Sequence, residues 1–266
     1  MAEYLQPETI AEAAGMIAEH GGELAIMAGG TRAMQFLVPY MPYIMGLRRL
    51  GLERVEKSDG EWSLGAAATL TQIQKEVPIA ALRDAARQIG AVAIQNVATI
   101  GGNLFSHAPY GDAATVLLAL DARVSIADGG GERSLSLGDF YADGVDSGAL
   151  VTGIQFAEPK GEAVYLKCGR KRFNATTVIT VAVHVEMDGG NVRAARIALG
   201  GASPHPMRCT AAEQALGGAA LDAAVIEKAA AAASAASAPA SDATASEWYR
   251  RRMVGVYVQK ALSQLA

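Results

Sequence analysis

Cysteine and histidine are scarce in this sequence, with two Cys and four His among 266 residues. Two thiols, Cys168 and Cys209, are too few for an iron–sulfur cluster, which commonly takes four thiolate ligands. The histidines show no metal-ligand spacing such as His-Glu-x-x-His. No apolar run is long enough for a membrane span, and the first residues do not form a signal peptide pattern. We therefore predict no metal ligand, no membrane span, a cytoplasmic location and, in that compartment, no disulfide.

The sequence also has no excess of positive charge. Its 23 basic and 27 acidic residues give a net charge of −4, which argues against a nucleic-acid partner. Hydrophobic residues make up 51% of the chain, enough to bury a substantial core. The length allows one large domain or two.

Glycine is abundant, with 29 residues, and two of its pairs lie in short polar loops. The first loop is Ala28-Gly29-Gly30-Thr31-Arg32, and the second is Thr99-Ile100-Gly101-Gly102-Asn103. Paired glycines can take positive φ, and successive inward-pointing amides form a nest that binds an anion. One such pair is also typical of an ordinary tight turn. Two loops of this kind suit a ligand with two phosphates.

Apolar periodicity and turn residues predict an irregular alternation of helices and strands, which is typical of an α+β fold. Near residue 160 the sequence pattern changes to long strands followed by Ala-rich helices, which predicts two domains, 1–160 and 161–266. Helices are predicted at 7–20, 69–89 (broken at Pro78), 113–120, 211–216 and 221–237, with a last helix opened by a capping box of Thr244 and Glu247. Strands are predicted at 24–27, 43–47, 62–68, 123–127, 133–137, 176–186 and 192–199.

The order Ala-Gly-Gly-Thr then Thr-Ile-Gly-Gly-Asn, about seventy residues apart, is more specific than either loop alone. On these motifs, nearly the whole chain resembles the medium, FAD-binding subunit of the molybdenum hydroxylases, the xanthine dehydrogenase and aerobic carbon monoxide dehydrogenase type. The resemblance implies a two-subregion FAD-binding domain of the vanillyl-alcohol oxidase type, followed by a C-terminal sheet-plus-helices domain. It also implies electron transfer from a [2Fe–2S] small subunit through FAD to a terminal acceptor, with a molybdopterin-binding large subunit, in an (αβγ)2 assembly.

The resemblance also assigns individual residues. Both loops would face the FAD pyrophosphate, Asp112 would accept hydrogen bonds from ribose hydroxyls, and Lys167 would lie near the flavin ring, where a cation stabilises the reduced form. From the residues alone, Asp112 could instead cap the helix that follows it. Lys167 could instead be a solvated member of a basic cluster with Arg170, Lys171 and Arg172. The predicted cofactor-binding residues are Ala28, Gly29, Gly30, Thr31, Arg32, Thr99, Ile100, Gly101, Gly102, Asn103, Asp112, Leu150 and Lys167, with no catalytic residue predicted.

Some positions are open or depart from the family pattern. Ile89 and Leu150 fall near positions that line the flavin, but both could simply be core. Arg32 stands where many relatives have a small polar or acidic residue, so it either adds a phosphate contact or faces solvent. Some relatives stack a tyrosine on the flavin after the basic cluster, where this chain has Phe173 and Asn174. His107 is interpreted as a loop residue rather than a base or covalent flavin anchor.

Two alternatives to the subunit interpretation remain. One is a self-sufficient FAD-dependent oxidoreductase of the same fold, which copurification would distinguish. The other is a non-redox module that binds a nucleotide and is colourless. Against the first, no substrate-binding residues are evident beyond the cofactor loops.

Overall fold

A computed structural model describes residues 2–36, 40–142, 149–171 and 174–266. It has the predicted α+β fold. The helices are α1 (Ile10–His20), α2 (Ala33–Phe36), α3 (Leu70–Glu76), α4 (Ala80–Arg87), α5 (Val92–Gln95), α6 (Ile100–Leu104), α7 (Asp112–Ala119), α8 (Leu137–Ala142), α9 (Thr210–Leu216), α10 (Ala223–Ala236) and α11 (Glu247–Leu262). The strands are β1 (Glu3–Leu5), β2 (Leu24–Met27), β3 (Tyr43–Gly46), β4 (Val55–Ser58), β5 (Glu61–Gly65), β6 (Arg123–Asp128), β7 (Gly131–Ser136), β8 (Leu150–Ala157), β9 (Glu162–Gly169), β10 (Thr177–Asp188), β11 (Asn191–Gly200) and β12 (Met207–Arg208).

A small parallel sheet supports the first glycine loop. Its strand order is β1-β3-β2, and both outer strands run parallel to β3. Ala13 and Ile17 of α1 pack against Met45 of β3 in a separate small core. The first glycine loop begins where β2 ends, as predicted.

An antiparallel five-stranded sheet of order β4-β5-β8-β6-β7 forms the centre of the first half. The predicted hairpin is confirmed, since β6 and β7 pair across the turn from Asp128 to Gly131. The predicted buried helix is also confirmed, because every residue of α7 is buried. The capping box of Thr69 and Gln72 opens α3 as expected.

The second half is an antiparallel sheet of order β12-β11-β10-β9, packed with α9, α10 and α11. Both α7 and α11 pack on β10, whose first nine residues are all buried. Ala182 belongs to the main core of the first half, whereas Val181 and Val183 belong to the core of the second half. One strand therefore joins the two cores.

The last helix begins later than predicted. Ser246, not Thr244, is the N-cap of α11, and its hydroxyl accepts the amide of Tyr249. The Asp242 carboxylate accepts the amides of Thr244 and Ala245, which turns the chain before the helix starts. The capping box predicted at Thr244 is therefore wrong.

Strands β1, β4, β8 and β9 were not predicted from the sequence, whereas the structure forms all four. Strand β8 ends at Ala157 and β9 begins at Glu162, on either side of the boundary that we placed near residue 160. The division into two domains at that point stays a prediction. None of the helices formed by the described residues combines the length and hydropathy needed to cross a lipid bilayer.

Candidate cofactor site

The first glycine loop presents unbonded amides at the end of β2. Gly30 has φ of 69°, a left-handed conformation that glycine adopts readily. Within the described part of the chain, no protein acceptor is bonded to the amide of Gly29, Gly30 or Thr31. The loop is partly exposed, so these donors are accessible to a ligand.

The structure brings the first loop against the chain just before the second. A Cβ added to Gly29 would lie 1.7 Å from the carbonyl oxygen of Val97, so only glycine fits there. The guanidinium carbon of Arg32 also lies 4.5 Å from the centroid of the Tyr110 ring, which follows the second loop in the chain. Two loops far apart in sequence thus form one surface.

The second glycine pair does not form the expected nest. Gly101 and Gly102 lie in the short helix α6, and neither has positive φ. The Gly101 amide donates to the Ala66 carbonyl (2.9 Å), and the Gly102 amide donates to the Thr99 hydroxyl (3.1 Å). The Ile100 amide donates to a carbonyl at residue 68. The prediction of free amides in this loop is wrong, because the helix cap and the neighbouring segment use them.

Asn103 has a structural contact of its own. Its side-chain oxygen accepts the amide of Ala114 (3.1 Å), one of the free donors at the start of α7. The N-cap of α7 is Gly111, with φ of 100°, which has no side chain of its own to cap the helix. Asp112 is the first residue of the helix, so the alternative that its side chain caps α7 is wrong.

Asp112 instead forms the centre of a buried polar cluster, which we call the Asp112 cluster: Asp112, Tyr165, Lys167 and Thr177. Its carboxylate accepts the hydroxyls of Tyr165 (2.9 Å) and Thr177 (3.1 Å). Lys167 Nζ lies 3.3 Å from the carboxylate, and the side chains of the pair are 6% and 4% exposed. Burial raises the pKa of Tyr165 well above its usual value, and the Asp112 charge raises it further. Tyr165 therefore remains a neutral donor.

Lys167 is not a solvated surface lysine. Besides Asp112, its ammonium donates to the carbonyl of Gln88 (2.9 Å), which ties β9 to the end of α4. Arg170 and Lys171 are exposed, whereas Arg172 and Phe173 lie outside the described residues. A contact of Asp112 with ribose, and of Lys167 with the flavin, stay predictions.

The sequence missed two members of the Asp112 cluster. Tyr165 and Thr177 lie 53 and 65 residues from Asp112, so no local pattern connects them. The available signal was the spacing of Tyr165 and Lys167, because residues i and i+2 share one face of a strand.

The two apolar candidates lie in the core. Leu150 is 1% exposed and packs with Met45 and Leu47. Ile89 packs against the main core from a partly buried position. A cofactor contact by Leu150 would therefore involve its backbone. His107 is exposed in the loop before Tyr110, as expected.

The fold is of the mixed α+β class, with a glycine loop at the end of a parallel sheet that packs against the chain before a second loop. Residues 1–158 match the family model of the FAD binding domain in molybdopterin dehydrogenase. Residues 164–265 match that of the CO dehydrogenase flavoprotein C-terminal domain. The chain therefore belongs to the family of FAD-binding subunits of molybdopterin-dependent dehydrogenases.

Several relatives match this chain over almost its whole length. The xanthine dehydrogenase FAD-binding subunit of Escherichia coli O157:H7 is 29% identical, covering 99% of this chain and 95% of that protein. The glyceraldehyde dehydrogenase medium chain of Sulfolobus acidocaldarius is 28% identical, covering 99% and 98%. The structure of reconstituted CO dehydrogenase from Oligotropha carboxidovorans matches with a TM-score of 0.91 and 28% identity, covering 100% of this chain and 97% of that chain.

Proposed function

We propose that this chain is the electron-transfer subunit of a three-part molybdenum hydroxylase. A molybdopterin-binding large subunit passes electrons to a [2Fe–2S] small subunit. This chain receives them from the small subunit and passes them through FAD to a terminal acceptor. The observation that carries this proposal is the contact of Gly29 with Val97, which joins the two loops beside the unbonded amides of Gly29 to Thr31. The names of the relatives, a medium chain and an FAD-binding subunit, support the same role.

The residues present fit a dinucleotide cofactor. Three unbonded amides and the left-handed Gly30 suit one diphosphate, because charge-assisted hydrogen bonds to backbone N–H groups each contribute about 1.5–3 kcal/mol. Gly102 presents an exposed surface without a side chain on the adjoining loop. When bound, FAD supplies the redox chemistry. The chain's own residues then hold the cofactor and set the charge around it.

The Asp112 cluster gives the proposed site a fixed electrostatic environment. Asp112 and Lys167 neutralise each other at 3.3 Å, and hydroxyl donors hold the carboxylate from two further directions. We expect an ion pair held this way to keep its arrangement when the cofactor is reduced, which would keep the reorganisation cost low. We therefore assign the cluster to positioning and charge balance rather than to proton transfer.

Purification from the native host with a tag on this chain tests the proposal. We expect yellow protein that releases FAD into the supernatant on acid precipitation. Two partners, one rich in cysteine and one much larger, should copurify in equal stoichiometry, and an (αβγ)2 assembly would double the mass of that trimer. A lone protein that oxidises a small organic substrate would instead identify a self-sufficient flavoenzyme, and a colourless one would contradict both.

A further inference from the structure

Arg32 and Tyr110 make a contact between the first glycine loop and the segment that follows the second. Arg32 is the last residue of the first glycine loop, and its guanidinium carbon lies 4.5 Å from the Tyr110 ring centroid. Arg32 is exposed and Tyr110 is half-buried. A cation over an aromatic face at this distance is attracted by the ring quadrupole.

Tyr110 is held in place by the chain around it. Its amide donates to the carbonyl of His107 (3.0 Å), which closes a turn. The residue before it, Pro109, is buried, and the residue after it, Gly111, is the N-cap of α7. Asp112 follows, anchored by its cluster. The backbone of Tyr110 is therefore held between a turn and the start of α7.

Arg32 lies directly after the unbonded amides of Gly29 to Thr31. Backbone amides supply only partial positive charge, whereas a guanidinium supplies a full charge and paired donors that match a phosphate. Stacking on Tyr110 restricts the long Arg32 side chain before any ligand binds, which reduces the entropy that binding would otherwise cost. The pair thus places a cation at the edge of the loop that carries the donors.

We infer that Arg32 and Tyr110 form a latch that retains the diphosphate of a bound dinucleotide. Tyr110 positions the guanidinium, and the guanidinium binds phosphate oxygens together with the amides of the first loop. The latch rests on the proposed FAD function, but it concerns retention of the cofactor rather than electron transfer. Its loss should accelerate cofactor release while the fold stays intact, since the contact lies at the surface.

Release of FAD from the purified chain tests the latch. FAD fluorescence rises on dissociation, and calorimetry with ADP on the FAD-depleted chain reports the diphosphate contact separately. We expect Arg32→Gln to release FAD about tenfold faster, equivalent to ~1.4 kcal/mol, and to weaken ADP binding. Tyr110→Leu should accelerate release by about threefold, and Tyr110→Phe should behave like wild type because it keeps the ring.

The double variant separates a latch from two independent contacts. Arg32→Gln with Tyr110→Leu should release FAD no faster than Arg32→Gln alone, because the ring acts through the guanidinium. Arg252→Gln is the matched control, because it removes a similar contact on α11, in which the Arg252 guanidinium carbon lies 6.0 Å from the centroid of the Trp248 ring. It should leave release unchanged.

Two results would overturn the latch: wild-type release from Arg32→Gln, or additive effects in the double variant. In either case, a wild-type chain that carries FAD would leave the proposed function standing. A wild-type chain that binds neither FAD nor ADP would overturn both.

Discussion

The glycines of the two loops are required for different physical reasons. At Gly29 the Val97 carbonyl occupies the space of a side chain, and at Gly30 the backbone has positive φ. Gly102 is exposed and helical and lacks positive φ, but an added Cβ would lie 2.9 Å from the Thr99 hydroxyl that caps α6, so that hydroxyl would have to move. The effect of a side chain at Gly102 on folding is therefore measured beside its effect on binding.

We expect Gly102→Val to give soluble, folded protein with little or no FAD, because the new side chain would occupy the cofactor's space. Flavin absorbance per protein and circular dichroism measure the two effects. Gly15→Val is the matched control, since Gly15 is an exposed helical glycine of α1 with nothing within 4 Å of an added Cβ. Normal FAD content in Gly102→Val would show that α6 does not face the cofactor.

Lys167 is expected to matter first for stability. Lys167→Met leaves the Asp112 carboxylate buried without its cation, and breaking a buried pair in this way costs about 3–5 kcal/mol. Urea unfolding measures this loss. Adding Asp112→Asn should recover part of it, because the uncompensated charge is then removed.

Lys57→Met is the control for that experiment. Its partner is Glu158, and the two side chains are 43% and 40% exposed, so we expect a loss below ~1 kcal/mol. Equal losses from the Lys167 and Lys57 variants would mean that the Asp112 pair is solvated.

The candidate site could be predicted from sequence only where its residues are neighbours in the chain. The two glycine loops are local patterns, and the structure joins them through Gly29 and Val97. Hydrogen bonding within α6 was not visible, because the acceptor at Ala66 comes from a distant segment. The Asp112 cluster was missed for the same reason, since tertiary contacts choose its members.

At the scale of elements, prediction succeeded where periodicity and turn residues agree. The hairpin around Asp128 to Gly131 has both signals, and so does β10 with its glycine turn into β11. In strands β8 and β9 the buried residues do not alternate regularly along the chain, so no period-2 pattern marks them. Their strand conformation depends on pairing with neighbouring strands. At α11 two hydroxyl residues, Thr244 and Ser246, were both possible caps, and the Asp242 turn selects the later one.

Strand β10 also carries a buried histidine, His184, beside its pairing partner β11. His184 is 3% exposed, its Nε2 donates to the Lys160 carbonyl (2.9 Å), and Arg196 of β11 lies 3.5 Å from Nδ1. Burial lowers the pKa of His184 from its usual 6.5, the Arg196 charge lowers it further, and the Lys160 hydrogen bond opposes both.

Because the pKa of His184 is lower in the folded chain, the neutral form stabilises the fold. This contribution is fully present above pH ~6.5 and is lost as the pH falls through the lower folded value. We expect the free energy of unfolding, measured with urea between pH 7.5 and 5 (about the range in which His titrates), to fall less steeply in His184→Gln than in wild type. His107→Gln, which changes an exposed histidine, should keep the wild-type slope. Equal slopes in all three proteins would contradict the assignment.

At the scale of the whole molecule, buried polar contacts join the two halves. Asp112 belongs to the first half, and its partners Tyr165, Lys167 and Thr177 belong to the second. The hydroxyls of Thr115 and Thr180 lie 3.0 Å apart across the same interface. Because an unpaired buried polar group costs about 1–3 kcal/mol, each half depends on the other for the partners of these groups.

Separate expression of residues 1–160 and 161–266 tests this dependence. We expect the first fragment alone to bind FAD weakly and to unfold at a lower temperature than the whole chain, because α7 would expose its buried face and Asp112 would lose its partners. Mixing the fragments should restore FAD binding, since the interface supplies the missing donors. Fluorescence titration with FAD and thermal circular dichroism measure both effects. Asp112→Asn in the first fragment should not raise its stability when alone, because the exposed carboxylate is solvated at the start of α7, but it should weaken association with the second fragment. A first fragment that binds FAD as tightly as the whole chain would show instead that the second half contributes nothing to the cofactor site.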